Sequence, residues 1–380
     1  MTLSHKIQRH FKTKKSGSQY RTLWQCLHLD LPLLVLLLSL TCIGFMVLYS
    51  VSNQNIALVI NQAWHIGLAF IVIFLLAQIP PHTYYRLGLP LYCIGIVLLV
   101  YVLIAGHVGL GAKRWINLGV LNFQPSELLK LAIPMLLARW FTQTTLPPAK
   151  KLLALSCLII AVPALLTIKQ PDLGTGIMLL IAGISTLLLA GVRLRLMAYF
   201  MLLVALLAPL LWHVLHDYQK QRILTFLSPE RDPLGAGYHI VQSKIAIGSG
   251  GITGLGFLQS PQANLNFLPE HTTDFIFAVF MQQFGLLGAL CLIILFLLII
   301  WRCFVMTLQA QETFSRLLAG SLTLTFFFSF FINMCMVCGL IPVVGLPLPL
   351  ISYGGTAMVT MLANFGILMS IHRHRKLITT

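Results

Sequence analysis

Acidic side chains are scarce in this chain: nine Asp and Glu stand among 380 residues, beside 25 Lys and Arg. Charged residues total only 9%, where a soluble domain commonly carries about 25%. That shortage excludes a soluble globular protein. The usual signatures of soluble catalysis are missing as well. No G-x-S-x-G, Walker loop or H-E-x-x-H occurs, so a nucleophile elbow, a P-loop and a helical zinc site are excluded. Cysteine is sparse, with eight residues lying mostly inside apolar runs. The one C-x-x-C, Cys335 and Cys338, has no second pair at zinc spacing and reads as two small core residues one helical turn apart. There is no internal repeat, and no A-x-A-like site follows the basic N-terminal region, so the first apolar run is expected to stay as an anchor.

What is abundant is apolar sequence: 58% of residues are hydrophobic, and the mean hydropathy is +0.89. Runs of about 20 apolar residues read as membrane spans. Their lengths suit helices rather than barrel strands. Ten are expected: 31–50, 63–79, 87–105, 128–142, 152–168, 174–190, 196–216, 273–301, 317–337 and 353–371. The fold class is therefore an all-α polytopic membrane protein, with a basic tail over 1–30 and a single transmembrane domain over 31–380.

With the N-terminus in the cytoplasm, seventeen of the 25 basic residues fall on the inner side, as the positive-inside bias requires. Seven of the nine acids fall outside: Glu127, Asp172, Asp217, Glu230, Asp232, Glu270 and Asp274. The positive excess therefore reads as topology and contact with anionic lipid rather than nucleic-acid binding. Site chemistry is expected to face outward. The long outer loop, 216–272, carries apolar residues at helical spacing in "YHIVQSKIAIG". It is expected to be ordered, with a short amphipathic helix lying along the membrane surface.

Four motifs carry polar groups to that face. "LPEHTTDFIFAVF" places Glu270 and Asp274 at the mouth of a long uncharged run. Asp274 is either a helix cap or an interfacial carboxylate whose desolvation raises its pKa and makes it a base. "GAKRWINLGVLNFQPSELLK" sets Lys113 and Arg114 outside beside Trp115, either as snorkelling cations or as anion ligands. Its Glu127 and Lys130, at i and i+3, can pair on one helix face. "KQPDLGTG" holds Asp172 in a short outer turn. "GLIPVVGLPLPLISYGGT" has too many Pro and Gly for a continuous helix. It reads as a re-entrant, pocket-lining segment ending in Ser352 and Tyr353.

Together "GAKRW", "FQPSELLKLA", "QPDLGTG", "DPLGAGYHIVQSKIAIGSGG", "FLPEHTTDFIFAV" and "PVVGLPLPLISYGG" resemble the SEDS family (shape, elongation, division and sporulation). "PVVGLPLPL" resembles its elongation branch rather than its division branch. The resemblance implies a peptidoglycan glycosyltransferase of the bacterial cytoplasmic membrane. It would polymerise lipid II on the outer face, with undecaprenyl diphosphate as leaving group. It also implies a class B penicillin-binding protein as partner, beside other membrane proteins of the elongation machinery. The family's essential acid maps to Asp274, the expected general base. Arg114, Lys130, Arg222 and Lys244 are expected to meet the diphosphate. Trp115, Glu127, Asp172, Glu270, Ser352 and Tyr353 are expected to complete the substrate site. A divalent cation, Mg²⁺ or Mn²⁺, would help the leaving group, although no motif identifies its ligands.

The sequence departs from the family pattern at three places. Thr272 stands where a histidine is usual, with His271 displaced by one; Gln282 and Gln283 replace two glutamates; Lys169 replaces a small residue. The two glutamines keep open a non-catalytic scaffold. A lipid II flippase is the other alternative, though such transporters often show repeats.

Overall fold

The computed structural model describes residues 29–374 apart from 53, 110–111, 118–121, 194, 196–205, 207–216, 229–235, 266 and 269. Its helices in chain order are α1 (Leu31–Val51), α2 (Ile56–Gln78), α3 (Pro81–Ala105), α4 (Pro125–Thr142), α5 (Lys150–Lys169), α6 (Leu173–Leu189), α7 (Asp217–Leu227), α8 (Ala236–Ser249), α9 (Pro261–Asn264), α10 (Ile276–Gln309), α11 (Thr313–Val337) and α12 (Gly355–Arg373). Among the described residues seven helices are long and apolar enough to cross a membrane: α1, α2, α3, α5, α10, α11 and α12. Nine of the ten expected spans coincide with helices. The expected span over 196–216 lies almost wholly outside the described residues.

Local sequence explains the helix starts. Asp30 caps α1 by accepting the Leu33 N–H at 3.0 Å, Asn55 caps α2, and Pro occupies the first turn of α1, α3 and α4. Asp30 also receives Arg302 Nε at 3.0 Å and lies 3.7 Å from His372 Nε2, tying α1 to the ends of α10 and α12. Burial alone would push the Asp30 carboxyl up, but the Arg302 and Leu33 donors hold it below its ordinary value.

At the centre lies α4, packed by α3, α6 and α11 and buried along nearly its whole length. Enclosure by protein rather than lipid lets it carry the Glu127–Lys130 pair. Between α3 and α4 the chain forms a small antiparallel sheet instead of a plain loop: β1 (His107–Gly109), β2 (Ala112–Asn117) and β3 (Asn122–Phe123). Val108 pairs with Lys113 and Ile116 with Phe123. The all-α reading is corrected to that extent; "RWIN" supplies the β-formers.

The expected amphipathic helix is α8, which packs on α10 and α11 rather than lying free. Ile240, Ser243 and Ala246 face inward, and Ser243 Oγ donates to the Val337 carbonyl at 2.6 Å.

The eighth expected span is corrected more substantially, because α10 is interrupted at Gly285 (φ 64°, ψ −164°). The freed groups are met by the loop before α9. Leu255 and Gly256 N–H donate to the Gln282 and Gln283 carbonyls at 2.9 and 3.0 Å. Leu286 and Leu287 N–H donate to Gly251 and Ile252 at 3.0 Å each. The break thus obeys the rule that buried backbone groups are paired.

Gly285→Ala tests the break. That backbone region is essentially glycine-only and costs about 1–3 kcal/mol otherwise. An added Cβ would also stand 2.4 Å from the Gly254 nitrogen. Thermal unfolding in detergent is expected to show a clear drop in Tm; an unchanged Tm would contradict the break.

Candidate active site

The Gly- and Pro-rich segment after α11 has no regular structure, yet most of it is buried, so each of its polar backbone groups needs a partner. Arg222 Nη1 of α7 donates to the Val343 carbonyl at 3.0 Å. Asn333 Nδ2 of α11 donates to the Leu346 carbonyl at 2.6 Å. Leu348 N–H donates to Ser352 Oγ at 2.8 Å. Gly174 at the start of α6 comes so close that a Cβ there would stand 2.6 Å from the Val344 oxygen.

This segment is stitched to the turn that carries Asp274. Ser352 Oγ donates to the Thr273 carbonyl at 2.5 Å, and Tyr353 N–H to the Thr272 carbonyl at 2.9 Å. Asn333 Nδ2 also donates to the Asp274 carbonyl at 2.9 Å. Ser352 and Tyr353 are therefore occupied in holding the turn. Gln62 of α2 donates to the Ser352 carbonyl and accepts from Gly354 N–H, each at 3.4 Å, and Asn61 donates to the Tyr353 hydroxyl at 3.2 Å.

Asp274 does not cap α10: Phe275 holds the cap position, with no side-chain bond to the helix. Its carboxylate lies over the backbone of Gly345, where a Cβ would come 3.5 Å from Oδ2; the positive φ of 75° there suits glycine. Part of the Asp274 surface stays open, but the carboxyl itself is enclosed by protein. Burial pushes its pKa to about 7, helped by the Glu270 and Asp172 charges and opposed by Arg222 and Arg114. Five residues singled out in the sequence thus share one electrostatic neighbourhood: Asp274, Glu270, Asp172, Arg222 and Arg114. The exposed Glu270 accepts Thr273 Oγ1 at 2.6 Å, which fixes the turn at the mouth.

Asp172 caps α6, accepting Thr175 N–H at 3.1 Å and Thr175 Oγ1 at 2.9 Å. Gln124, just before α4, donates to it at 2.8 Å. Arg114 Nη1 lies 3.9 Å from Asp172 Oδ2 and Nη2 donates to the Pro171 carbonyl, while Arg114 Nε has no partner. Trp115 follows on β2, half-buried. Glu127 and Lys130 pair at 2.6 Å, leaving Glu127 Oε2 without a partner. Lys244 stands apart from this group, on α8 against Gly339. Among the described residues no three His, Cys, Asp or Glu side chains converge on a metal position.

Asn333, Gln62 and Gln124 were not anticipated. Their signal was present: an amide in an apolar span, as in "FFINMC" and "VINQAW", is expensive to bury unless it bonds something specific.

A polytopic membrane protein with an enclosed carboxylate beside two guanidinium groups is the class that fold and site define. The chain belongs to the FtsW/RodA/SpoVE family, described as cell cycle proteins, which matches residues 26–377. It is 46% identical over 360 residues to the peptidoglycan glycosyltransferase MrdB of Escherichia coli (strain K12), covering 94% of this chain and 97% of the relative. To the MrdB of Helicobacter pylori (strain ATCC 700392 / 26695) it is 35% identical over 353 residues, 91% and 90% of the two chains. Among solved structures it superposes on a chain from a peptidoglycan synthase complex, studied for its coordination of polymerization and crosslinking. The TM-score is 0.79 at 29% identity, covering 91% of this chain and 99% of that one. The rod shape determining protein RodA of Thermus thermophilus gives 0.69 at 28% identity, covering 91% and 98%.

The raised Asp274 pKa makes a stability prediction. The folded state binds this proton more tightly than the unfolded chain does, so stability falls as pH rises from about 3.8 to about 7. Above that window the full cost is present, on the order of 4 kcal/mol at most. Asp274→Asn removes the titrating charge. Unfolding in detergent is expected to find the variant more stable than wild type at pH 8, with the gap closing near pH 4. A gap independent of pH would contradict the burial of this carboxylate.

Proposed function

We propose that this chain is a peptidoglycan glycosyltransferase that polymerises lipid II for cell elongation, with Asp274 as general base. The observation that carries the site reading is an enclosed carboxyl with a pKa of about 7 beside Arg222 and Arg114. The relation to MrdB supports the activity. A hydroxyl attacking an anomeric carbon must lose its proton as the new C–O bond forms, and a base poised near the working pH does this best. The proton passes to Asp274, and the bond from the anomeric carbon to the diphosphate oxygen breaks. The leaving undecaprenyl diphosphate gains negative charge, which the guanidinium groups of Arg114 and Arg222 meet. Arg114 Nε and Glu127 Oε2 are buried polar atoms without partners, available to substrate groups.

Mg²⁺ or Mn²⁺ is part of this reading. Such ions are commonly held by one or two carboxylates together with substrate phosphates; Asp172 and Glu270, whose charges both reach Asp274, would supply them, with Asp274 left as the base. When bound, the ion would neutralise charge on the leaving diphosphate.

The reading places the protein in the bacterial cytoplasmic membrane, both termini inside and the site outside. On this reading the end of the bundle that carries the Asp30–Arg302–His372 cluster faces the cytoplasm. A class B penicillin-binding protein would crosslink the strands, in line with the solved synthase complex. Gln282 and Gln283 are not among the groups that shift Asp274. Neutral amides carry no charge to do so, and the scaffold alternative is decided by the polymerisation assay.

Purified protein supplied with lipid II tests the proposal. Wild type is expected to form polymer, and Asp274→Ala to lose about a hundredfold to ten-thousandfold in rate. Movement of lipid II without polymer would favour a flippase. Near wild-type polymerisation by the variant would remove Asp274 from catalysis.

A further inference from the structure

A second polar feature lies away from Asp274, where the α10 break meets the outer end of α1. Ser50, Gln54, Leu258 and Asn264 line an open cleft of about 160 Å³. Behind it stands a layer of buried amides and hydroxyls. Gln283, only 1% exposed, donates to Ser50 Oγ at 2.6 Å. Gln282 donates to Ser249 Oγ at 2.9 Å and to Gln262, and accepts from Ser260 Oγ at 2.5 Å. Gln283 Oε1 is left without a partner, on an amide held to the cleft wall by Ser50.

Backbone strain also points here. Among the described residues, five other than glycine hold positive φ. Pro171, Glu270 and Leu350 lie in the segments around Asp172 and Asp274. The other two, Gln54 (φ 62°) and Leu258 (φ 68°), both line this cleft. Residues in such conformations cluster at functional sites.

None of the lining residues ionises, and neither do the amides and hydroxyls behind them. A phosphate or carboxylate would find no countercharge. Neutral hydroxyl and acetamido groups, which both donate and accept, match the walls. The first half of α10, between Asp274 and Gln283, is on the order of 12 Å long at the helical rise, a reach of a few sugar rings.

Resting on the polymerase reading above, we propose that this cleft is a subsite for uncharged sugar residues of the glycan strand, remote from the reacting carbon, which holds the strand between additions. Such a subsite acts on strand release rather than on the chemical step. Losing one neutral hydrogen bond, about 0.5–1.5 kcal/mol, speeds dissociation about two- to tenfold.

Gln54→Leu tests this in the full-length protein, its side chain being exposed; Asn264→Leu is the second variant, read at wild-type Tm because Asn264 Nδ2 also donates to the Leu258 carbonyl at 3.2 Å. Lipid II polymerisation is followed for initial rate at saturating substrate and for strand length, with wild-type Tm as the folding control. The expected result is strands shortened about two- to tenfold at an unchanged initial rate. Unchanged strand length, or a fall in initial rate without shortening, overturns the subsite while leaving the polymerase intact. Absence of polymer from wild type itself overturns the polymerase reading, and the subsite with it.

Discussion

The structure depends on one constraint: a backbone broken at membrane depth must find its hydrogen bonds inside the protein. Unsatisfied groups there cost several kcal/mol each. Among the described residues the chain breaks twice, at the Gly- and Pro-rich segment before α12 and at Gly285 in α10. Each break draws in distant elements. Arg222 and Asn333 cover carbonyls of the first, and the loop over 251–256 covers the second. The site is a by-product of these repairs. Asn333 spends one amide on both Leu346 and Asp274, so satisfying the break also fixes the turn that carries the acid.

The same constraint explains why the Asp274 carboxyl is pushed well above its ordinary pKa. Two cations near Asp274 would ordinarily lower its pKa. Burial and two neighbouring carboxylates outweigh them, and the net shift is upward. The cations are partly committed elsewhere, Arg222 to Val343 and Arg114 to Pro171 and Asp172. An incoming diphosphate would compete for these guanidinium groups and so alter the balance that keeps Asp274 basic.

Much of this was legible in the sequence because spans are encoded locally, by apolar runs of the right length. Nine of the expected spans meet helices, with ends that differ by up to eight residues, and the period of "YHIVQSKIAIG" alone marks its helix. The acids of the site stand out because charge is rare in so apolar a chain. What could not be read was pairing across long separation. Nothing local to "MQQFG" says that Gly285 interrupts a helix, because the partners that permit the break lie about thirty residues earlier. The sheet over 107–123 was hidden by its shortness. Asn333 looked like one amide among phenylalanines until the Leu346 carbonyl appeared beside it. The sequence admits Asp274 as a helix cap; the structure puts Phe275 in that place.

The central claim is that Asp274 is a carboxylate base held near neutrality by its enclosure. The pH dependence of kcat/KM for lipid II measures this most directly, because it reports the base in the free enzyme. The account predicts a rate that rises tenfold per pH unit on the acid side and levels off near pH 7. A rate already level at pH 5 would mean an ordinary exposed carboxylate, and would contradict it.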